Sequence, residues 1–220
     1  MKNNLTILFD LDGTLVDTAP DLMAAHNHVM KKFGFKPKKL SDIRALAGKG
    51  AWVWMQKSLQ NEINDEKIKK QMTTEFLSFY AKNIDRESKP LKGSIDFLNW
   101  AQKNNILLAV CTNKQEKLAV DLLKKLKMYD FFEYVAGHDT VEFNKPDPRH
   151  LTDVVKIIGG DLKKTIMVGD SEVDGLSAYN ANIPFVLVKG GYTEKNENEI
   201  KHKELITNYI NFDKIIRKYL

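Results

Sequence analysis

Five short apolar runs, at residues 5–9, 106–110, 134–136, 165–168 and 185–188, most limit the folds open to this chain. Each is too short for a helix and too uniformly apolar for a strand with one wet face. They read as strands buried on both sides. From residue 94 onward they alternate with segments of helical spacing. Ile95, Leu98 and Ala101 are expected to face inward from a helix at 94–104, and Leu118, Leu122 and Leu126 from one at 114–127. Further helices are expected at 149–158, 174–182 and 211–220. This alternation predicts an α/β fold whose open parallel sheet is covered by helices on both faces.

The stretch between the first two strands differs. Pro20 suits the first turn of a helix carrying Leu22, Ala25, Val29 and Phe33 at helical spacing. Ser41 is placed to cap a short helix ending near Ala47, and Gly48-Lys49-Gly50 breaks it. Trp52, Met55 and Leu59 mark another helix, and Ile68, Met72, Phe76 and Phe79 a longer one. Two parts are therefore expected: a core from residues 1–16 and 89–220, and a helical bundle at 17–88 inserted between its pieces.

Polar residues recur just past the strands. Asp10 and Asp12 follow the first, Thr112 and Asn113 the second, Lys145 lies in the loop after the third, and Asp170 and Asp174 follow the fourth. In open α/β sheets ligands bind beyond the carboxyl ends of the strands, so these loops should share one rim. Four clustered carboxylates need compensating charge. An all-oxygen donor set without a histidine or cysteine cluster favours a hard divalent ion, Mg²⁺ foremost. Lys145, the Thr112 hydroxyl and backbone N–H groups near Leu11, Gly13 and Asn113 would complete a cradle for a phosphate. Asp10 can then serve as nucleophile and metal ligand together. Asp12 can protonate the departing oxygen and later take a proton from water.

Asp10-Leu-Asp12-Gly-Thr14, Thr112, Lys145-Pro146 and Gly169-Asp170-Ser-Glu-Val-Asp174, in that order, resemble the haloacid dehalogenase superfamily of phosphohydrolases. The resemblance spans essentially the whole chain. It implies a Rossmann-like parallel-sheet core with a helical C1-type cap at 17–88, hinged near residues 16–18 and 88–91. It implies an Asp10 nucleophile, an Asp12 general acid/base, and Thr112, Asn113 and Lys145 on the phosphoryl group. Asp10, the Asp12 carbonyl and Asp170 would bind Mg²⁺, with Asp174 in support. The Asp-Leu-Asp-Gly-Thr-Leu-Val-Asp-Thr-Ala-Pro-Asp-Leu run, the cap Gly-Lys-Gly, Cys-Thr-Asn-Lys and Lys-Pro-Asp-Pro are similar to bacterial phosphoglycolate phosphatases. The expected reaction is therefore hydrolysis of a small phosphorylated metabolite, 2-phosphoglycolate first. Other readings are another sugar or metabolite phosphatase, a pyrophosphatase, a β-phosphoglucomutase-like mutase, or a non-catalytic module keeping the fold. Lys49 and Gly50 precede a helix and are expected to meet the substrate's carboxylate or other polar end. Asn182 stands where this family often carries glycine; asparagine tolerates the left-handed conformation such a turn needs.

Composition narrows the partners. Lysines and arginines number 34 against 29 acids, a formal +5, but they are spread along the chain with acids among them. That pattern predicts no nucleic-acid role, though a mild positive field favours small anions. A single cysteine, Cys111, excludes an intramolecular disulfide and reads as core. The start Met-Lys-Asn-Asn reads as no signal peptide, and no run is long enough to span a membrane. A cytoplasmic monomer or homodimer is expected.

Overall fold

The computed structural model describes residues 5–42, 50–59 and 62–219. Strand β1 (Thr6–Phe9) is buried throughout. After it come β2 (Val16–Asp17), then helices α1 (Ala19–Lys32), α2 (Ala51–Leu59) and α3 (Glu66–Lys82), then β3 (Lys89–Pro90). The alternating half follows: α4 (Ser94–Lys103), β4 (Leu107–Cys111), α5 (Glu116–Lys125), β5 (Tyr134–Ala136), α6 (Arg149–Ile157), β6 (Thr165–Gly169), α7 (Glu172–Asn180), β7 (Phe185–Val188), β8 (Glu204–Ile206) and α8 (Phe212–Ile216).

Six strands form one sheet in the order β5-β4-β1-β6-β7-β8, every pairing parallel. The chain builds from β1 outward to β4 and β5, then crosses to β6, β7 and β8. The order thus reverses at β1, where an open sheet opens its crevice. Successive strand residues point to opposite faces, and the core divides accordingly. Ile7, Phe9, Leu108, Val110, Ile166 and Val168 pack in one cluster with α4, α5 and α8. Leu8, Ala109, Cys111, Met167, Phe185 and Leu187 pack in the other with α6 and α7.

The first cluster continues without a break into α1, α2 and α3. There the His26 ring stacks on Trp54 at 5.5 Å between centroids, Trp54 meets Phe76 edge-on at 5.2 Å, and Phe76 stacks on Tyr80. His26 Nε2 lies 2.7 Å from Ser58 Oγ, so this buried imidazole is a satisfied core group. The two passages between sheet and helices run side by side as the antiparallel β2–β3 pair. The Asp21 carboxylate of α1 accepts bonds from the Glu87 N–H at 3.0 Å, the Ser88 N–H at 2.8 Å and the Ser88 hydroxyl at 2.7 Å.

Several expectations need correction. Ile95 is 38% exposed, because Phe97, Leu98 and Ala101 set the inward face of α4. Helix α7 starts two residues earlier than expected: Ser171 and Asp174 form a reciprocal capping box that makes Glu172 its first residue. Strand β8 and the β2–β3 pair were not anticipated. Leu40–Asp42 forms a single tight turn; the rest of the short helix expected to end near Ala47 lies outside the described residues, as does Lys49. Asn182 has φ of 57°, the left-handed conformation expected of it.

Candidate active site

Register places the chemistry. Phe9 pairs with Val110 on one side and Val168 on the other, so Asp10, Cys111 and Gly169 end three adjacent strands at one level. The Asp10 N–H still donates to the Val168 carbonyl at 2.9 Å, so Asp10 sits where β1 gives out. Its carboxylate lies with those of Asp170 and Asp174, one oxygen of each within 4.8 Å of the others. Lys145 reaches in from the loop after β5, its Nζ 3.0 Å from Asp10 Oδ1 and 2.6 Å from Asp174 Oδ1.

Asp170 is held at both oxygens, by the Thr14 hydroxyl at 2.8 Å and the Tyr192 N–H at 2.6 Å. Two glycines make room for it. A Cβ on Gly13, whose φ is +80°, would stand 2.7 Å from Asp170 Oδ2, and one on Gly191 would collide with the Asp170 side chain. Asp174 accepts from the Lys145 ammonium at Oδ1 and from the Ser171 N–H and hydroxyl at Oδ2. It is helix cap and cluster member at once.

Three carboxylates against one ammonium leave excess negative charge out of water. Burial, chiefly, raises the Asp10 pKa from 3.8 to about 6; Lys145 opposes the rise, and Asp174 and Asp12 add to it. Burial likewise lifts Asp170 well above the carboxylate range, helped by Asp174 and Asp10. For Lys145, burial works against the charged form, but Asp10 and Asp174 outweigh it and hold the ammonium more firmly than usual. Asp10 Oδ1 is buried and, apart from its contact with Lys145, has no hydrogen-bond partner. An all-oxygen cluster with surplus charge and an unsatisfied oxygen fits a hard divalent cation.

Asp12 stands apart from this cluster. Lys114 Nζ bonds both its oxygens, at 2.9 and 3.0 Å, and the Thr18 hydroxyl donates to Oδ1 at 2.7 Å. The sequence reading missed Lys114 by placing it in the helix that follows; that helix begins at Glu116. Its signal was position alone, two residues beyond Thr112 on the same rim. Tyr192 was missed too. Its hydroxyl accepts from the N–H groups of Thr18 and Ala19 at 2.9 and 2.8 Å, where α1 begins.

Of the proposed phosphate cradle, the Gly13 N–H is already spent on the Val16 carbonyl at 2.8 Å. Thr112 Oγ1 accepts from the Lys114 N–H, and the Asn113 amide donates to the Lys145 carbonyl at 3.0 Å, bracing the lysine loop. A cleft of ≈ 290 Å³ opens over these residues. Asp10, Asp12, Thr112, Asn113, Lys114 and Asp170 form its floor, and Trp52, Trp54, Phe76 and Tyr80 wall it from the helical side. Gly50 borders it as well, with φ of +85°.

A Rossmann-like sheet with an acidic cluster at its reversal point defines a class, and sequence comparison agrees. The profile of the haloacid dehalogenase-like hydrolases matches residues 7–188, and the chain belongs to that family. Among its relatives, a protein named phosphoglycolate phosphatase from Mesorhizobium japonicum is 37% identical over 205 residues, covering 92% of this chain and 90% of its own. One from Agrobacterium fabrum is 37% identical over 219 residues, covering 96% and 94%. The crystal structure of a predicted phosphoglycolate phosphatase from Haemophilus somnus superposes with a TM-score of 0.90 at 26% identity, covering 98% of both chains. No helix among the described residues is long and apolar enough to cross a membrane.

Proposed function

We propose that this hydrolase cleaves a small phosphomonoester, 2-phosphoglycolate first among candidates, by transferring the phosphoryl group to Asp10 and then to water. The observation that carries the reading is the pairing at the end of β1. Asp10 lies beside Lys145 within the carboxylate cluster, while Asp12, two residues on, is held separately at the cleft. One carboxylate is thereby placed to attack phosphorus and another to handle protons. The names carried by the Mesorhizobium and Agrobacterium relatives support the phosphatase class and the substrate.

Asp10 and Asp170, with the Asp12 carbonyl and support from Asp174, are the groups that would hold Mg²⁺. Such an ion supplies charge neutralisation for the phosphoryl oxygens. Lys145 and the Thr112 hydroxyl orient the phosphoryl group. An Asp10 oxygen forms a bond to phosphorus as the ester oxygen leaves with a proton from Asp12. Asp12, now a carboxylate, takes a proton from the water that displaces Asp10. Uncatalysed phosphate-monoester hydrolysis is so slow that the site must supply on the order of 20 kcal/mol, shared among neutralisation, positioning and proton transfer. Residues 17–88 act as a cap whose closure excludes water, and Gly50, which borders the cleft, meets the substrate's far end together with its sequence neighbour Lys49.

The test is phosphate release with and without Mg²⁺ from 2-phosphoglycolate, glucose phosphates, pyrophosphate and p-nitrophenyl phosphate, for the wild type and Asp10→Asn. Mg²⁺-dependent release favouring 2-phosphoglycolate and abolished in the variant is expected. Release that survives Asp10→Asn would remove Asp10 as nucleophile, and preference for another ester would displace the substrate.

A further inference from the structure

A buried lysine demands an account, because desolvating an ammonium is costly unless it is paired. Lys114 is 9% exposed and takes no part in the carboxylate cluster. Its Nζ has three partners: both oxygens of Asp12 and, at 2.8 Å, the Tyr80 hydroxyl of α3. The same Nζ sits 4.4 Å from the Tyr80 ring centre. Tyr80 itself is buried against Phe76. The lysine backbone is fixed on both sides, its N–H on Thr112 Oγ1 and its carbonyl on the His138 N–H at 2.9 Å. Lys114 is thus a rigid prop aimed at one carboxylate.

The geometry points to Lys114 as a positioning residue that, with Thr18, fixes the direction of the Asp12 carboxylate, while Tyr80 ties that setting to the helical layer over the cleft. The inference rests on Asp12 being the acid/base group. With the Thr18 hydroxyl alone, the carboxylate would be free to turn about its Cβ–Cγ bond. Two further bonds from one ammonium lock its plane. Misplacing a reacting group by about 1 Å costs on the order of 10²-fold in rate. The contribution open to a well-placed general acid or base is roughly 10²–10⁴-fold.

Leaving-group chemistry separates this role from a merely structural one. p-Nitrophenolate departs without a proton, whereas the alkoxide of 2-phosphoglycolate needs one. Single-turnover and steady-state rates would be compared for wild type, Lys114→Met and Tyr80→Phe, with circular dichroism confirming the fold. Lys114→Met should slow phosphoryl transfer from 2-phosphoglycolate by about 10²-fold and from p-nitrophenyl phosphate by less than about fivefold. Turnover of the p-nitrophenyl ester should then show a burst near one equivalent followed by a slow phase, because Asp12 also serves phosphoenzyme hydrolysis. Tyr80→Phe should show the same pattern more weakly, and it decides the matter if Lys114→Met does not fold. Equal losses on both esters without a burst would overturn the proposal. So would a KM rise confined to the carboxylate-bearing ester with kcat kept, which would make Lys114 a substrate contact. A wild type that releases no phosphate from either ester overturns the phosphatase reading itself, and this proposal with it.

Discussion

Asp10→Asn should change how stability depends on pH, apart from any effect on turnover. Burial lifts the Asp10 pKa from 3.8 to about 6 against the pull of Lys145. Between those values the folded protein keeps a proton that the unfolded chain has released, so this group's contribution to stability falls as pH rises through about 6. Roughly two pKa units correspond to about 3 kcal/mol. The side chain is 12% exposed, so solvent screening discounts little of this. An opposing group works in the same window. Burial lowers the His150 pKa from 6.5 to about 4, so its contribution is lost as pH falls through 6.5. The His150 slope opposes that of Asp10, while Asp170, also raised by burial, adds to it, so the wild type's net slope does not isolate Asp10. Asp10→Asn removes the Asp10 slope, so the wild-type-minus-variant difference in stability should fall by about 3 kcal/mol as pH rises across the window. His150 is present in both proteins and cancels to first order, as does the part of the Asp170 rise that comes from burial and Asp174. Urea denaturation in EDTA at several pH values measures the difference directly. A wild-type-minus-variant difference that stays constant within about 0.5 kcal/mol, or grows with pH, would refute the assignment of surplus charge to Asp10. Mg²⁺ at about 100 times its Kd should add about 2.7 kcal/mol to the wild type near pH 7.5.

Lys145→Met leaves Asp10 and Asp174 facing each other without their cation, and should cost about 3–5 kcal/mol at neutral pH in metal-free protein, read by urea denaturation. Asp12→Asn should slow both half-reactions and let phosphorylated enzyme accumulate, visible by intact mass after mixing with substrate. Gly13→Ala adds a Cβ 2.7 Å from Asp170 Oδ2 at a backbone φ of +80°. It should cost at least about 1 kcal/mol and weaken Mg²⁺ binding in calorimetry. Burial pushes the Cys111 thiol up to about 12, so iodoacetamide at pH 8 should label it only after unfolding.

What was legible in the sequence follows from how local each cause is. A run such as residues 165–168 announces a doubly buried strand by itself. The carboxyl-end rule then carries Asp10, Thr112 and Asp170 to one rim without knowledge of strand order. Strand β8 gave no such signal, because Glu204-Leu-Ile206 is short and partly exposed at the sheet edge. The faces of α4 were misjudged at Ile95 because several phases satisfy a helical period, and only packing against β4 chooses among them. Lys114, Tyr80 and Tyr192 were illegible for a stronger reason. A lysine in a polar loop is solvated by default, and nothing near residue 114 says that a tyrosine 34 residues earlier will stand over it.

Two aspartates one residue apart beyond a buried strand pose an electrostatic problem that the fold solves by giving each its own lysine. Lys145 serves Asp10 from the loop after β5, and Lys114 serves Asp12 from the loop after β4. The division makes the two acids unlike. Asp10 is drawn into a cluster with a net negative charge and an unsatisfied oxygen, an environment suited to a cation and to attack on phosphorus. Asp12 is paired with a separate ammonium and faces the cleft with a fifth of its side chain exposed, within reach of whatever occupies it. Exchanging the two lysines for neutral residues should therefore produce different defects: loss of Mg²⁺-supported phosphoryl transfer for Lys145, and leaving-group-dependent loss for Lys114. Identical defects would mean that the pairing only discharges the rim.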